Sequence, residues 1–225
     1  MEIKPVAVYH SPLKEKFGIP RQSGIVPALR GRVTLLPEYK SGDALRGLED
    51  FDYIWLVWGF HLNREGSGEG RLTVRPPRLG GNQRIGVFAS RSPYRPNPLG
   101  LSSVRIVSVH PEKGIIEVEG ADLADGTPVY DIKPYVEYAD SHRGVRSGFV
   151  DKHSWEQLEL RVKDGLGDRL GENEFKAVCE LISQDPRPRY QNNPERIYHL
   201  KYGNFDVDFN IFGKIAEIID IRKIR

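Results

Sequence analysis

The first part of the chain is broken into many short β-rich runs, and this feature most limits what the chain can fold into. Runs rich in Val, Ile, Tyr and Trp that are bounded by Gly, Pro, Asp or Asn are typical of strands. The alternation of strands and helices that marks a doubly wound sheet is absent, which favours an antiparallel barrel or sandwich. We expect a mainly β protein whose first domain is a compact antiparallel β-barrel. The predicted strands are residues 3–9, 32–36, 53–60, 69–75, 84–89, 102–109, 114–119 and 129–132.

Two changes of pattern divide the chain. One short helix is predicted in the barrel half, at residues 41–50, where Ser41 or Asp43 can serve as the N-cap. Residues 141–154 lose the apolar periodicity and are predicted to form a linker or a mobile loop. The predicted domains are a barrel over residues 1–140 and a smaller α+β C-terminal extension over residues 155–225.

The predicted C-terminal domain combines one helix with a strand meander. Apolar residues recur at helical spacing over residues 170–183, and Cys179 lies on this apolar stripe, where we expect a buried rather than a reactive thiol. Residues 205–212 alternate apolar and polar side chains, the pattern of a half-buried strand, and Gly-containing turns flank them, which predicts an antiparallel meander. The strands predicted in this domain are residues 158–162, 196–202, 205–212 and 214–221.

Composition places the chain among globular proteins without a membrane span. Its 225 residues are 39% hydrophobic, enough to bury a core. No apolar run reaches the roughly 18 residues of a membrane helix, and the opening residues lack the features of a signal peptide. A single cysteine excludes an internal disulfide framework. We expect a cytosolic protein with no membrane association.

Several kinds of chemistry lack their sequence signatures. There is no phosphate-binding loop with its lysine, no G-x-G-x-x-G after a strand, no Cys-x-x-Cys pair and no H-E-x-x-H. The six histidines are scattered, so no metal site is expected. Nucleotide hydrolysis, dinucleotide redox chemistry and zinc hydrolysis are therefore not expected.

The distribution of charge is more informative than the net charge of +2. Residues 71–111 contain seven arginines and no Lys, Asp or Glu, whereas residues 112–140 contain eight acids. Arginines without acidic neighbours create a positive field and bind phosphate or carboxylate in two-pronged geometry. An ordinary solvated charged face is the alternative. We expect an anion-binding surface, because these arginines stand in stiff, proline-bearing loops.

The chain resembles a known family in four segments that occur in order: TVRPPRLGGN (73–82), GVFASRSPYRPNPLGLS (86–102), DLADGTPVYDIKPY (122–135) and DPRPRY (185–190). Residues 14–27 and 51–61 add to the similarity. The family is that of the single-sheeted β-barrel tRNA methyltransferases, the YaeB or TsaA-like proteins. The resemblance implies S-adenosylmethionine-dependent methylation of the exocyclic nitrogen of the threonylcarbamoyl-modified adenosine next to the tRNA anticodon. It also implies a homodimer with the cofactor bound near the subunit interface.

A set of cofactor-binding residues is implied by the same resemblance. They lie in a polar turn, at the end of an apolar strand, in the proline-bearing loop and in the DLADGT segment. Each group has a plain structural alternative, such as an ordinary loop, a capping histidine or a tight turn. Asp131 and Lys133 could form an internal ion pair. The implied cofactor-binding residues are Gln22, Ser23, Gly24, His61, Leu62, Arg91, Arg95, Asn97, Leu101, Leu123, Asp125, Gly126 and Thr127.

The loop RSPYRPNPLG, residues 91–100, has properties that suit such a site. Its three prolines fix their own backbone angles and bias the preceding residues toward extended geometry. In-line methyl transfer depends on orientation, so a preorganised rim favours it. We expect Arg95 to hold the cofactor's carboxylate or to order its pocket. Gly100 is expected to let the backbone approach a ligand or to turn into the next strand. A tight connector is the alternative.

The segment DPRPRY is the best candidate for the catalytic residues. We expect Asp185 to accept the proton of the substrate amine, Arg187 to bind a substrate carboxylate or phosphate, and Tyr190 to stack on or position the substrate. Alternatively, Asp185 and Pro186 only terminate the preceding helix. The residues expected to contact the tRNA backbone are Arg71, Arg75 and Arg78.

A second hypothesis keeps the fold but not the catalysis. A non-catalytic barrel could bind nucleic acid or an anionic metabolite through the same arginines. The DPRPRY segment favours the enzyme, since a pure binding module has no need of a carboxylate beside Arg187.

Overall fold

The structure is a computed structural model, and it describes residues 2–63, 70, 72–76, 83–152, 156–187, 191 and 193–224. Three predicted site residues, Arg71, Arg78 and Tyr190, lie outside the described residues. No helix in the described ranges is long and apolar enough to cross a membrane.

The strands are β1 Ala7–His10, β2 Arg30–Leu35, β3 Tyr53–Gly59, β4 Thr73–Val74, β5 Ile85–Gly86, β6 Leu99–His110, β7 Ile115–Glu119, β8 Thr127–Pro134, β9 Glu159–Val162, β10 Tyr198–Tyr202, β11 Phe205–Phe212 and β12 Ile215–Lys223. The α-helices are α1 Glu137–Asp140 and α2 Glu172–Ser183.

Six antiparallel strands close into a barrel in the order β1-β2-β7-β6-β3-β8. β1 completes the closure, because it pairs with β2 on one side and with β8 on the other. The predicted antiparallel barrel is therefore confirmed. β4 and β5 pair with each other as a separate two-stranded sheet.

The alternation of side chains along the strands explains the barrel core. In β3, Ile54, Leu56 and Trp58 are buried, whereas Tyr53 is exposed. Residues two apart in a strand share one face, so this pattern places one row of side chains inside the barrel. Tyr9 of β1 is fully buried in the same cluster. The barrel interior is therefore a packed core, and any ligand site must lie at its rim or outside it.

The prediction of a single helix at residues 41–50 is wrong. This segment forms two 3₁₀ helices, Gly42–Leu45 and Leu48–Asp50. Gly47 lies between them with a φ of 80°, which a right-handed helix does not contain. Ser41 is the N-cap of the first one, because its Oγ accepts a hydrogen bond from a backbone amide of that turn at 3.2 Å.

The strand predicted at residues 84–89 is also wrong in its second half. Only Ile85–Gly86 pairs in a sheet, and Val87–Ala89 is a 3₁₀ helix that leads into the proline-bearing loop. The chain leaves the sheet here because the prolines that follow lack backbone donors for a strand ladder. The other 3₁₀ helices among the residues that the structure describes are Pro37–Tyr39, Pro111–Lys113, Gly148–Lys152 and Gly167–Arg169.

The C-terminal region is a four-stranded sheet in the order β10-β11-β12-β9, with α2 packed against it. The predicted antiparallel meander is confirmed for β10, β11 and β12, while β9 joins β12 in parallel. Cys179 of α2 is half-buried, and burial raises the pKa of its thiol to about 11. A thiol that stays protonated in this way fits the expected packing role.

Two hydrophobic cores fill the molecule, and they do not divide where the sequence pattern changes. One core lies inside the barrel. The other joins α2 and the C-terminal sheet to Leu13, Val26, Ala28 and Leu29 from the first part of the chain. The domain boundary at residues 141–154 stays a prediction. The two cores do not follow it, since the segment from Leu13 to Leu29 packs against the C-terminal region.

Candidate active site

A cleft of about 740 Å³ lies between the proline-bearing loop, the turn around Gln22 and the residues that follow β3. Small-molecule sites typically measure roughly 300–1,000 Å³, so the cleft has the size of a cofactor site. Its aromatic walls come from Trp55, Trp58, Phe60 and Phe88. The predicted cofactor-binding residues that line it are Gln22, His61, Leu62, Arg91, Arg95, Asn97, Leu101 and Thr127.

The proline-bearing loop that forms the rim is tied by its own hydrogen bonds. The backbone amide of Arg95 donates to the carbonyl of Pro93 at 3.1 Å. Nη1 of the same arginine donates to the carbonyl of Ser90 at 3.1 Å. Because both contacts stay within the loop, the Arg95 side chain helps to order the rim.

Gln22 and Arg91 connect two walls of the cleft. Nη1 of Arg91 donates to Oε1 of Gln22, whose Nε2 donates to the carbonyl of Arg21 at 2.5 Å. The side chain of Arg91 is exposed to the cleft and hydrogen-bonds to a neutral amide. Its positive charge is therefore available to an anionic ligand.

A half-buried carboxylate that sequence reasoning missed lies on the cleft wall. Asp122 lines the cleft, and its Oδ1 accepts a hydrogen bond from Oγ of Ser102 at 2.5 Å. Ser102 is 1% exposed, and its Oγ accepts in turn from Nε1 of Trp58 at 2.9 Å. Burial raises the pKa of Asp122, and the hydrogen bond from Ser102 and the charge of Arg91 only partly oppose this. The available signal was an acid placed between apolar residues directly after a buried strand.

One of the two roles expected for Gly100 is wrong. It lies inside β6, opposite Trp58 of β3, and not in a sharp turn into the next strand. Gly100 lines the cleft, so the expected approach of its backbone to a ligand stays a prediction. A Cβ atom at this position would lie 2.2 Å from Cε2 of Trp58. Gly100 therefore also makes room for the indole that forms part of the cleft wall.

The end of the DLADGT segment reaches the cleft next to His61. Oγ1 of Thr127 lies 3.3 Å from Nδ1 of His61 and donates to the carbonyl of Ala124 at 2.8 Å. Gly126 has a φ of 78°, and a Cβ atom there would lie 3.8 Å from Nε2 of His61. This tight turn brings the histidine and the threonine together at the cleft.

Other residues predicted to bind the cofactor lie in the framework around the cleft. Leu123 is fully buried in the barrel core. Asp125 accepts a hydrogen bond from the amide of Ser11 at 3.1 Å, at the end of β1. Gly24 donates its amide to the carbonyl of Gly120 at 2.8 Å. The structure does not bring Ser23, Gly24, Leu123, Asp125 or Gly126 into the lining of the cleft.

A second cavity, of about 620 Å³, adjoins the cleft, and Arg21 and Gln22 line both. Nη2 of Arg21 also donates to the backbone carbonyl of Asp185 at 3.0 Å. The turn around Gln22 thus connects the cleft to the DPRPRY segment. The other residues that line the second cavity are Gly24, Ile25, Pro27, Gln157, Glu180, Ser183 and Gln184.

Asp185 and Arg187 form a two-pronged ion pair. Nε of Arg187 lies 2.8 Å from Oδ1 of Asp185, and Nη2 lies 2.9 Å from Oδ2. The hydrogen bond to Asp185 raises the pKa of Arg187. The backbone of Asp185 has a φ of 50°, in the left-handed region that residues other than glycine rarely adopt. Neither residue lines the cleft or the second cavity.

The arginine-rich stretch is less free of acidic partners than its sequence implied. Nη1 of Arg105 lies 3.4 Å from Oε2 of Glu119 on the paired strand β7. Arg75, by contrast, is exposed. Nζ of Lys133 lies 3.1 Å from Oδ2 of Asp131, so the ion pair that the sequence left open is present. In the part of the chain that the structure describes, no group of three or more His, Cys, Asp or Glu side chains is placed to hold a metal.

The fold and the cleft define a class of protein: a closed antiparallel barrel with a cleft of cofactor size lined by aromatic and charged side chains, joined to an α+β C-terminal region. Comparison with known families identifies the particular family. The tRNA-methyltransferase O N-terminal domain matches residues 8–141, and the TrmO C-terminal domain matches residues 157–224. The chain belongs to the tRNA-methyltransferase O family.

Relatives and solved structures agree with this assignment. The tRNA (adenine(37)-N6)-methyltransferase of Escherichia coli is 37% identical over 224 residues, which are 96% of this chain and 94% of the relative. RcsF of Pseudomonas aeruginosa, described as an S-adenosylmethionine-dependent methyltransferase, is 41% identical over 92% of this chain and 91% of its own length. A crystal structure of TrmO from Pseudomonas aeruginosa has a TM-score of 0.79 and 30% identity, and the match covers 99% of this chain and 98% of that one.

Proposed function

We propose that this chain is an S-adenosylmethionine-dependent methyltransferase that modifies N6 of adenine 37 in tRNA. The cleft of about 740 Å³ is the observation that carries the proposal, because it combines aromatic walls, guanidinium groups and a half-buried carboxylate in one site of cofactor size. The names of the relatives from Escherichia coli and Pseudomonas aeruginosa support both the reaction and the cofactor.

The residues of the cleft fit the parts of S-adenosylmethionine. When bound, this cofactor supplies a methyl group activated by a positively charged sulfur. Arg91 and Arg95 can donate to its carboxylate, and Trp55, Phe60 and Phe88 provide aromatic faces for its adenine. The remaining residues predicted from the family resemblance form the surrounding framework.

The ordered rim gives the reaction its orientation. Methyl transfer needs the attacking nitrogen in line with the sulfur, and a loop held by prolines and by the Arg95 side chain loses little entropy on binding. The same loop and the aromatic walls exclude water from the cofactor's reactive end. The protein thus contributes position and a dry environment.

The adenosine that it modifies carries a threonylcarbamoyl group in this proposal. That group has a carboxylate and several polar atoms, and the second cavity beside the cleft offers matching partners. Arg21 supplies a positive charge there, and Gln157, Ser183 and Gln184 supply polar side chains. Because Arg21 lines both cavities, the modified nitrogen would lie near the boundary between them.

Asp185 accepts the proton of the substrate amine in this proposal, and Arg187 binds a substrate anion. Both carboxylate oxygens of Asp185 accept from Arg187 in the structure, so the two roles are linked. A carboxylate or phosphate of the substrate that draws Arg187 toward itself frees an oxygen of Asp185 to take the proton from nitrogen. Tyr190, outside the described residues, is expected to position the substrate.

A homodimer completes the proposal. Large apolar side chains at the cleft are exposed, with Phe88 at 77% and Leu101 at 59%. Exposed apolar groups at the rim of a binding site are typical of a surface that a partner covers. A second copy of the chain placed there would close the cleft over the cofactor. The cytoplasmic location expected from the sequence suits a tRNA substrate and stays a prediction.

The test is calorimetric titration of the purified protein with S-adenosylmethionine, followed by methyl transfer to tRNA that carries or lacks the threonylcarbamoyl group. We expect saturable binding and transfer only to the modified tRNA. Transfer to both tRNAs would contradict the specific substrate but leave the enzyme. Absence of cofactor binding would favour the non-catalytic barrel.

A further inference from the structure

We propose that Asp122 lets the cleft distinguish S-adenosylmethionine, whose sulfur is positively charged, from the by-product S-adenosylhomocysteine, whose sulfur is neutral. The inference rests on the proposed function. Methyl transfer removes the charge on sulfur and leaves the carboxylate, the ammonium, the ribose and the adenine of the cofactor as they were. A site can therefore tell the two ligands apart by the charge on sulfur and by the methyl group that sulfur carries.

Asp122 is the only carboxylate among the described residues that line the cleft. The Lys and Arg side chains that line the same cleft are Lys16, Arg21, Arg91 and Arg95. These cations suit the carboxylate of the ligand, but they disfavour a positively charged sulfur. The negative charge of Asp122 offsets this repulsion, and it does so only while the sulfur carries its methyl group.

The surroundings of Asp122 make its charge effective. Ser102 holds one oxygen at 2.5 Å, so the carboxylate has a fixed position. Trp58 supports Ser102 from the barrel core through a bond of 2.9 Å. Charges act more strongly on one another in a site with apolar walls than in water, because less solvent screens them. Asp122 is therefore a positioned charge rather than a mobile surface acid.

Each element packed around Asp122 contributes a group that affects its ionisation. Burial raises the pKa of Asp122, whereas the hydroxyl of Ser102, the charge of Arg91 and the amide of Ser23 lower it. Tyr9, on β1, is also close, but burial raises the pKa of its phenol far above the usual value and keeps it neutral. Among these groups, Arg91 is the one that is charged at neutral pH.

The binding of a cation should release a proton from Asp122. A positive charge nearby favours the ionised carboxylate, so it lowers a pKa that burial has raised. The binding of S-adenosylmethionine therefore releases a proton from Asp122 at pH values between the pKa of Asp122 in the occupied site and its pKa in the free site. S-adenosylhomocysteine, with its neutral sulfur, releases less. At a pH well above the raised pKa neither ligand does, because Asp122 is already ionised.

The experiment compares the two ligands in the wild type and in Asp122→Asn by calorimetric titration. The variant keeps the shape and the hydrogen bond to Ser102 but removes the charge. We expect its affinity for S-adenosylmethionine to fall on the order of tenfold, and that for S-adenosylhomocysteine to stay within about twofold. Equal losses for both ligands, or no loss for either, would overturn the proposal. Asp131→Asn, at a carboxylate that lies outside the cleft lining, is the matched control.

A second measurement on the wild type decides the matter if Asp122→Asn does not fold. Titrations in two buffers that differ in heat of ionisation count the protons released as each ligand binds. Greater release with S-adenosylmethionine supports the proposal, and equal release at every acidic and neutral pH overturns it. A wild type that binds neither ligand contradicts the proposed function itself, an outcome that is distinct from equal binding of the two.

Discussion

The barrel cleft and the C-terminal sheet treat their charged side chains in opposite ways. In the C-terminal sheet, Asp208 is only 6% exposed, and charged or ionisable neighbours hold both of its oxygens. Nδ1 of His199 lies 2.6 Å from Oδ1, and Nη1 of Arg222 lies 2.7 Å from Oδ2. The predicted strict alternation of β11 places this acid on the outer face, and these partners are what cover it.

In the cleft, the side-chain hydrogen bonds of Arg91, Arg95 and Asp122 go to neutral partners instead. Arg91 donates to the amide oxygen of Gln22, and Arg95 donates to a backbone carbonyl. The carboxylate of Asp122 is hydrogen-bonded to a serine hydroxyl. Ion pairs neutralise each other's charge and belong to the structural framework. Charged groups that are hydrogen-bonded to neutral partners retain an electric field that can act on a ligand. The difference separates a structural region from a binding region within one chain.

The largest effect on cofactor affinity is expected from Arg95→Ala in the cleft. It removes a guanidinium that orders the rim and faces the ligand, so the affinity for S-adenosylmethionine should fall on the order of 10- to 100-fold. Calorimetric titration measures this. Arg222→Ala in the C-terminal sheet, which removes an equally charged side chain from an ion pair, should leave the affinity unchanged. An Arg95 variant with the affinity of the wild type would remove the distinction between the two regions.

Asp185→Asn tests the DPRPRY segment, where the ion pair resembles those of the framework but catalysis is proposed. Asparagine tolerates the φ of 50° at this position, so the change removes charge without adding backbone strain. We expect unchanged cofactor affinity and a kcat lower by roughly 100-fold or more. The control is Asp220→Asn, which also breaks an ion pair with arginine. Full activity in the Asp185 variant would mean that its ion pair with Arg187 has a structural role and no catalytic one.

Gly100→Ala tests how closely the cleft depends on the barrel core. The new methyl group would meet the indole of Trp58, so the free energy of unfolding should fall by about 1–3 kcal/mol. Denaturant unfolding measures the change. Gly86→Ala is the matched control, since nothing lies within 4 Å of a Cβ atom there. Equal stability of the two variants would mean that Trp58 moves aside at no cost.

The smallest expected effect is a gain in stability from Asp122→Asn. Burial raises the pKa of Asp122 above its ordinary value of 3.8, so ionising this group costs the folded state free energy. The folded wild type therefore loses stability as the pH rises from that ordinary value through the raised pKa. The variant should therefore unfold at a higher temperature than the wild type at neutral pH, and the gain should vanish below about pH 4.

The opposite sign is expected for Asp208→Asn, because the charge it removes is satisfied by His199 and Arg222. That variant should unfold at a lower temperature than the wild type at neutral pH. Thermal unfolding of both variants without ligand measures the contrast. A fall in stability for both would show that the carboxylate of Asp122 is as well satisfied as that of Asp208.

Much of the barrel could be predicted from local patterns. From Tyr53 to Trp58, the β3 run alternates buried residues with exposed or half-buried ones, and its predicted bounds differ by one residue from Tyr53–Gly59. The helix at residues 41–50 could not be predicted in the same way. Its composition suits a helix, but Gly47 adopts a left-handed conformation and divides the segment.

The candidate site was predictable where a single segment supplies it. The proline-bearing loop and Gln22 were found from their residue types and from the family resemblance, and both line the cleft. Asp122 was missed because its importance depends on Ser102 and Trp58, which come from other strands. Asp185 and Arg187 were named, but their pairing with each other was not foreseen.

What the amino-acid sequence determined by itself was the set of strands, the meander and the stiffness of the rim, because alternation and proline geometry act between near neighbours. The tertiary structure alone decided which distant groups meet. It packed Leu13 and Leu29 onto the C-terminal core, placed Gly100 against Trp58 and left Asp122 half-buried at the cleft. Such contacts depend on strand register and barrel closure, which bring together residues that no local pattern connects.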